Sequence, residues 1–419
     1  MAAERRAVEV WADGAPFGAR ARLGVLHTTP ARGRGVFAFE YGATWLARQD
    51  ARPLDPTLQL VRGPQYLADD RDNFGLFLDS SPDRWGRLLL QRREALRARA
   101  GKRAERRLGE LDYLLGVFDG HRLGSLRYCL PGGPFLDDDV ELASPPWTSL
   151  RALEQASLHL ERPGSERDPK YGAWLRMLIA PGRSLGGARP KASVVDPRGR
   201  LWIAKFPSDR DDVDIGGWES VVHAIATRAG VITAEAQRKK LGSHHHTFLA
   251  RRFDRDDTGG RLHFASAMTL IQRSDGDLGA SYLDLAAFIA QQGAHPARDL
   301  EQLWRRIALS VCVSNVDDHL RNHGFLLEPK GWSLAPAYDM NPVAHGDGLT
   351  LNISETDNAQ DVELVLGVAK HFRIKPRRAC AIFDEVIAAS RTWRAEARRA
   401  KISRGEQDQM ATAFRVGEG

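Results

Sequence analysis

An apolar helical run, with Leu300, Leu303, Trp304, Ile307 and Val311 at three- and four-residue spacing, leads straight into SNVDDHLRNHGF at residues 314–325. Asp317, Asp318 and Asn322 are costly to bury unless something positive or polar satisfies them. A chain that ends a buried helix in this way commits that end to a polar site. The question is which chemistry needs a carboxylate and, five residues later, an amide.

The surrounding pattern is mixed. Residues 7–46 alternate as short strands around an Asp-Gly turn. Residues 80–118 read as largely helical, with SSPDRWGR placing serines and a proline at a helix start. A stretch rich in Gly, Pro and Asp at 132–147 marks the main boundary. KASVVDPRGRLWIAKFP, residues 191–207, is two apolar runs around Asp-Pro-Arg-Gly and predicts a hairpin. GGWESVVHAIATRAGV follows as a helix, and HHHTFLARRFDR as a strand entering a loop. From about residue 281 the chain is mainly helical, with an amphipathic helix over 378–395. This order predicts an α+β fold in three parts: 1–135, 145–255 and 256–419. There is no internal repeat.

Composition excludes several classes. Sixty basic against fifty-four acidic residues leave a net charge of +6 over 419 residues, a modest excess. The basic run over 87–107 reads as a solvated helix face rather than a nucleic-acid patch. Three cysteines, Cys129, Cys312 and Cys380, match no metal spacing and fit a reducing cytoplasm. No stretch has the length and apolarity of a signal peptide or a membrane span. HHH at 244–246 reads as a solvated hairpin turn, and the ten tryptophans as core and interface anchors.

Asp317 and Asn322 are spaced D-x-x-x-x-N. In protein kinase catalytic loops an Asp at this spacing takes the substrate hydroxyl proton and the Asn holds a metal ion. HGFLLEPKGWSLAPAYDM then reads as strand, turn, strand, ending in Asp339. Such a hairpin returns Asp339 towards Asn322, so the two could share a magnesium ion with phosphate oxygens and water. Lys205 ends the apolar strand LWIAKFP, the pattern of a kinase lysine that meets phosphates and pairs with a helical Glu. Glu219 lies 14 residues on, in the predicted helix. Upstream, the two glycines of RSLGGARPKA suit close backbone approach to phosphate. Each feature has a plain structural reading as well: turn acids, a strand-end lysine, a hairpin loop. Their order is that of a kinase.

At these residues the sequence resembles the HipA family of Ser/Thr kinase toxins from bacterial type II toxin–antitoxin modules. RSLGGARPKA resembles the family's Ser-x-x-Gly-Ala-x-x-Lys loop. VDDHLRNHGFLL and LAPAYDM resemble its catalytic and metal segments, and FLARRFDR its hinge. GVFAFEY, ARPLDPTLQL and FLDSSPDRWGR resemble its N-terminal subdomain. The resemblance implies a protein-kinase-like two-lobed fold with an added N-terminal α+β subdomain and a mainly helical C-terminal lobe. It makes Asp317 the catalytic base, supported by His319. Asn322 and Asp339 become Mg2+ ligands, and Lys205, paired with Glu219, meets the ATP phosphates. Leu185, Gly186, Gly187, Ala188, Arg189 and Lys191 become the nucleotide loop. Ala250, Arg251, Arg252 and Phe253 become the adenine hinge, and Ser184 an autophosphorylation site. It further implies a cytoplasmic protein, with a HipB-like helix-turn-helix antitoxin through which alone it meets DNA. The protein substrate it implies is a translation component such as an aminoacyl-tRNA synthetase.

The sequence departs from the family pattern at three places. The loop reads ARPK where an acid commonly precedes the lysine. The hinge carries Arg251 where the best-known member has an acid. Asp317-Asp318 replaces Asp-Gly. Two other functions fit the same residues: a catalytically silent module that docks a DNA-binding antitoxin, and a small-molecule kinase.

Overall fold

The computed structural model describes residues 6–31, 34–67, 71–136, 145–179, 187, 189–274, 276–277 and 279–418. By packing, the chain divides into two compact units, Met1–Ala204 with Asp254–Ala265, and Lys205–Phe253 with Ser266–Gly419.

The first unit begins with the alternation read from the sequence. In the strand Arg6–Ala12, Val8, Val10 and Ala12 are buried and the intervening residues are partly exposed. This strand pairs antiparallel with Ala21–Ala31 on one side and Leu126–Cys129 on the other. Arg34–Tyr41 and the short Gln65–Tyr66 complete a five-stranded antiparallel sheet. Gly14, in the Asp-Gly turn, has φ +107°, and a Cβ there would lie 2.3 Å from the Arg261 carbonyl oxygen. Only glycine fits that approach.

The predicted helix start is where the sequence puts it. Asp83 Oδ1 accepts from the Gly86 amide at 2.8 Å and caps the helix Arg84–Ala100. That helix buries Trp85, Leu89 and Leu90. The basic run is largely solvated, as its composition suggests, with Arg97, Arg99, Lys102, Arg103, Arg106 and Arg107 exposed, and some of its cations also take partners. Arg87 pairs with Glu110 at 2.5 Å, Arg103 with Glu94 at 2.6 Å, and Arg92 donates to the Leu160 carbonyl at 2.7 Å. Helices Leu150–Glu161 and Tyr171–Ile179 follow. The hairpin of Lys191–Val195 and Leu201–Lys205 turns on Asp196. Burial alone would raise the Asp196 carboxyl. The backbone and side chain of Arg200, the Trp202 indole and the Arg198 amide instead bring it down to about 2. Those donors explain why Asp-Pro-Arg-Gly closes this turn.

In the second unit the helix Ile215–Arg228 is capped by Asp214 and packs against helices Pro376–Ser390 and Trp393–Arg399. The Trp393 ring stacks on Phe414 at 4.5 Å. The hairpin of Ala236–Lys239 and Thr247–Arg251 carries the histidine triplet in its turn. Here the solvated reading needs correction. His244 is exposed, but His246 is buried and pairs through Nδ1 with Asp214. The paired carboxylate makes that burial tolerable. Helices Tyr282–Gln292 and Pro296–Cys312 lie together, and Leu300, Leu303, Trp304, Ile307 and Val311 are all fully buried. The hairpin of Gly324–Glu328 and Gly331–Leu334 has the register Glu328↔Gly331 expected for the EPKG turn. Among the described residues no helix is long and apolar enough to cross a membrane.

Candidate active site

The opening motif resolves into two acids with opposite surroundings. Asp317 is exposed, whereas its neighbour Asp318 is 5% exposed. Asp318 Oδ2 accepts from the Tyr282 hydroxyl at 2.6 Å and from the Ser310 hydroxyl at 3.3 Å. His323 Nε2 lies 3.1 Å from Asp318 Oδ1. Burial pushes the Asp318 carboxyl up, but His323, Tyr282 and His319 outweigh it and hold the group below its ordinary range. Asp318 therefore ties two helices to the loop, and Asp317 presents its carboxylate to solvent.

The loop backbone is held by its own residues. The Asp317 carbonyl accepts from the His319 amide and from Asn322 Nδ2, both at 3.0 Å. The Asn322 amide donates to the His319 carbonyl at 2.8 Å. With its nitrogen committed to Asp317, Asn322 keeps Oδ1 without a protein donor among the described residues. An amide oxygen so oriented suits a hard cation.

Asp339 follows the hairpin of Gly324–Glu328 and Gly331–Leu334. Tyr338 donates its hydroxyl to the Arg321 carbonyl at 2.7 Å, joining the chain neighbours of Asp339 and Asn322. Arg306, itself 4% exposed, donates to the Ala335 carbonyl at 2.5 Å and holds the segment before Asp339. Asp339 has φ +60°, a left-handed conformation that is uncommon outside glycine and clusters at functional sites. Its Oδ1 accepts from Lys205 Nζ at 2.5 Å, and Glu219 Oε1 accepts from the same nitrogen at 2.6 Å. Burial would lower the Lys205 ammonium. The Asp339 and Glu219 carboxylates prevail and raise it, so it stays charged. The strand lysine, helical glutamate and post-hairpin aspartate expected from the sequence thus converge on one nitrogen.

The hinge segment is partly regular. Ala250 and Arg251 end the strand Thr247–Arg251, and the Arg251 amide donates to the Glu235 carbonyl at 2.7 Å. Arg251 NH1 lies 3.8 Å from Glu235 Oε2, so the departure from the family's acid is matched by an acid across the hairpin. Arg252 is buried, and Phe253 lies against Tyr338 with ring centroids 5.5 Å apart.

Of the glycine loop, Ser184, Leu185, Gly186 and Ala188 lie outside the described residues. Gly187 is exposed, Arg189 is half-buried, and Lys191 is buried in the first unit. Lys191 Nζ donates to Asp83 Oδ2 at 2.9 Å and to the Gly187 carbonyl at 3.0 Å. Sequence reasoning put the serines and proline of SSPDRWGR at a helix start and missed both roles of Asp83. It also missed the Asp318 network. Nothing local signals partners 108 and 36 positions away.

The model of the HipA-like C-terminal domain family matches residues 183–393, half of the chain. The chain belongs to the HipA family. Among solved structures, the HipA-family chain is similar to HipA of Shewanella oneidensis MR-1, from a structure described as its toxin–antitoxin complex of HipA, HipB and operator DNA. The TM-score is 0.63 at 16% identity, over 95% of each chain. That likeness covers the α+β, kinase-like fold expected from the sequence. A Helicobacter pylori proinflammatory kinase, CtkA, also matches at 14% identity and a TM-score of 0.34, over 54% of this chain and 94% of its own. No curated protein sequence matches.

Proposed function

We propose that this HipA-family chain is an ATP- and Mg2+-dependent serine/threonine protein kinase that acts as the toxin of a toxin–antitoxin module. The observation that carries the reading is Lys205 Nζ held by both Glu219 and Asp339, at 2.6 and 2.5 Å. A cation fixed in this way is suited to the phosphates of a nucleotide. Asp317 takes the proton from the acceptor hydroxyl. The hydroxyl oxygen forms its bond to the γ-phosphorus as the bond to the β-phosphate oxygen breaks, and ADP leaves with that electron pair. Asn322 and Asp339 hold Mg2+, which when bound neutralises phosphate charge. Two protein ligands suffice, because this ion keeps water and phosphate oxygens in its shell. Among the described residues no group of three His, Cys, Asp or Glu side chains forms a closed metal cage.

The family assigns the remaining roles in this reading. Arg189, with the loop residues before it, faces nucleotide; Ala250 to Phe253 meet the adenine; Ser184 receives phosphate from the kinase itself. The acceptor is a translation component of the aminoacyl-tRNA synthetase kind. The partner is a HipB-like helix-turn-helix antitoxin, which supplies the contact to DNA, and the setting is the cytoplasm. The functional division is 1–135, 145–255 and 256–419.

Lys205→Ala tests the reading at its centre. Losing a charge-assisted contact of about 1.5–3 kcal/mol weakens ATP roughly 10- to 150-fold. Adenosine affinity stays unchanged, because the contact is with phosphate. Calorimetric titration of both ligands decides it, and equal losses would remove Lys205 from the phosphate site. Mass spectrometry after incubation with ATP is expected to find phosphate on Ser184 in wild type and none in Asp317→Asn. An unmodified Ser184 in an active kinase ends the self-inactivation idea.

A further inference from the structure

We propose that Asp83 is a positioning residue for the glycine loop. Its carboxylate holds Lys191 Nζ, and Lys191 holds the Gly187 carbonyl. The first turn of the helix Arg84–Ala100 thereby sets the C-terminal foot of that loop.

The two oxygens of Asp83 have separate tasks. Oδ1 caps the helix through the Gly86 amide at 2.8 Å, and Oδ2 takes Lys191 at 2.9 Å. The side chains are 3% and 4% exposed, so neither charge is satisfied by water. Buried charges persist when paired, and removing one partner leaves the other at high cost. A surface ion pair would be dispensable, but this one is not. Lys191 is also the first residue of the strand Lys191–Val195, whose sheet neighbour is Leu201–Lys205. The anchored lysine thus joins three elements: a helix cap, the loop backbone at Gly187 and the strand that follows. Lys191 acts on the loop backbone in this arrangement, with its charge already met by Asp83, and is not itself a phosphate ligand. The chain segment SSPDRWGR, read from sequence as a helix start only, gains a reason to be tied to the glycine loop.

The test uses the full chain with Asp83→Asn, Lys191→Met and the double variant. Asparagine caps a helix as well as aspartate does, so Asp83→Asn removes the charge and keeps the helix start. Amide hydrogen exchange is followed without nucleotide on a peptide spanning 187–195, beside one spanning 84–100. Exchange in 187–195 is expected to speed up at least tenfold in each single variant and no further in the double. The 84–100 peptide stays as in wild type for Asp83→Asn. Wild-type exchange in Asp83→Asn, or additive effects in the double variant, overturns the proposal and leaves Asp83 a helix cap. The kinetic consequence rests on the phosphotransfer reading: KM for ATP rises by the same several-fold factor in all three proteins, with kcat little changed. A much larger rise for Lys191→Met than for Asp83→Asn would make Lys191 a phosphate ligand after all and overturn the proposal. If wild type transfers no phosphate, the phosphotransfer reading fails, while the exchange result still decides the role of Asp83.

Discussion

Asp317→Asn is expected to lower phosphoryl transfer by ~10²–10⁴-fold, the usual contribution of a positioned general base. An amide cannot accept the acceptor proton or carry the charge that develops. The fold has little stake in this side chain. Asp317 is exposed, and the loop holds its backbone carbonyl through His319 and Asn322, contacts an asparagine retains. Single-turnover transfer and the unfolding midpoint should therefore separate: the first collapses and the second stays. Near-normal transfer by the folded variant removes Asp317 from the role of base. A large loss of stability contradicts the assignment of the two neighbouring acids.

Asp318→Ala is expected to do the reverse, destabilising the second unit by ~3–5 kcal/mol, as removing one member of a buried charged cluster does. The Tyr282 and Ser310 hydroxyls lose their acceptor at 2.6 and 3.3 Å, and His323 loses its neighbour. Because these groups come from two helices and the start of a strand, the loop carrying Asp317 loosens with them. Denaturant unfolding followed by tryptophan fluorescence gives the loss, and a change below about 1 kcal/mol contradicts the account. The acid dependence has a definite sign. The folded carboxyl lies below its ordinary value, so its contribution is fully present above about pH 4 and is lost as pH falls towards the folded value. Asp318→Asn should flatten that part of the stability profile.

Which parts of this were legible in sequence follows from the range of the forces involved. Period-two alternation around Asp13-Gly14 and the donors packed into Asp-Pro-Arg-Gly act within a few residues, and both hairpins formed where the pattern put them. The apolar positions from Leu300 to Val311 are likewise all buried, but the helix is buried all round from Leu303 to Cys312, Arg305 and Arg306 included, which the spacing did not show. The pairing of Lys205 with Glu219 was readable for another reason: a strand-end lysine followed by a helical glutamate is the order of a known family, whereas Asp339, expected beside Asn322, was not foreseen on the same ammonium. Asp317 was picked out by the D-x-x-x-x-N spacing and the family, but the role of Asp318 was not legible, since the residues themselves do not say which acid is buried. That depends on Tyr282 and Ser310, supplied by packing. His246 misled for the same reason, because its partner Asp214 lies 32 residues earlier at the start of another helix. Around Asp83 the sequence showed a helix start and hid the distant partner Lys191.

The most direct measurement is transfer from γ-labelled ATP in the presence of Mg2+ and a cell lysate, wild type beside Asp317→Asn. The account predicts label on the kinase itself and on one lysate protein with wild type, and on neither with the variant. No transfer by folded wild type would make this chain a binding module, label confined to small molecules would make it a different kinase, and either result contradicts the central claim.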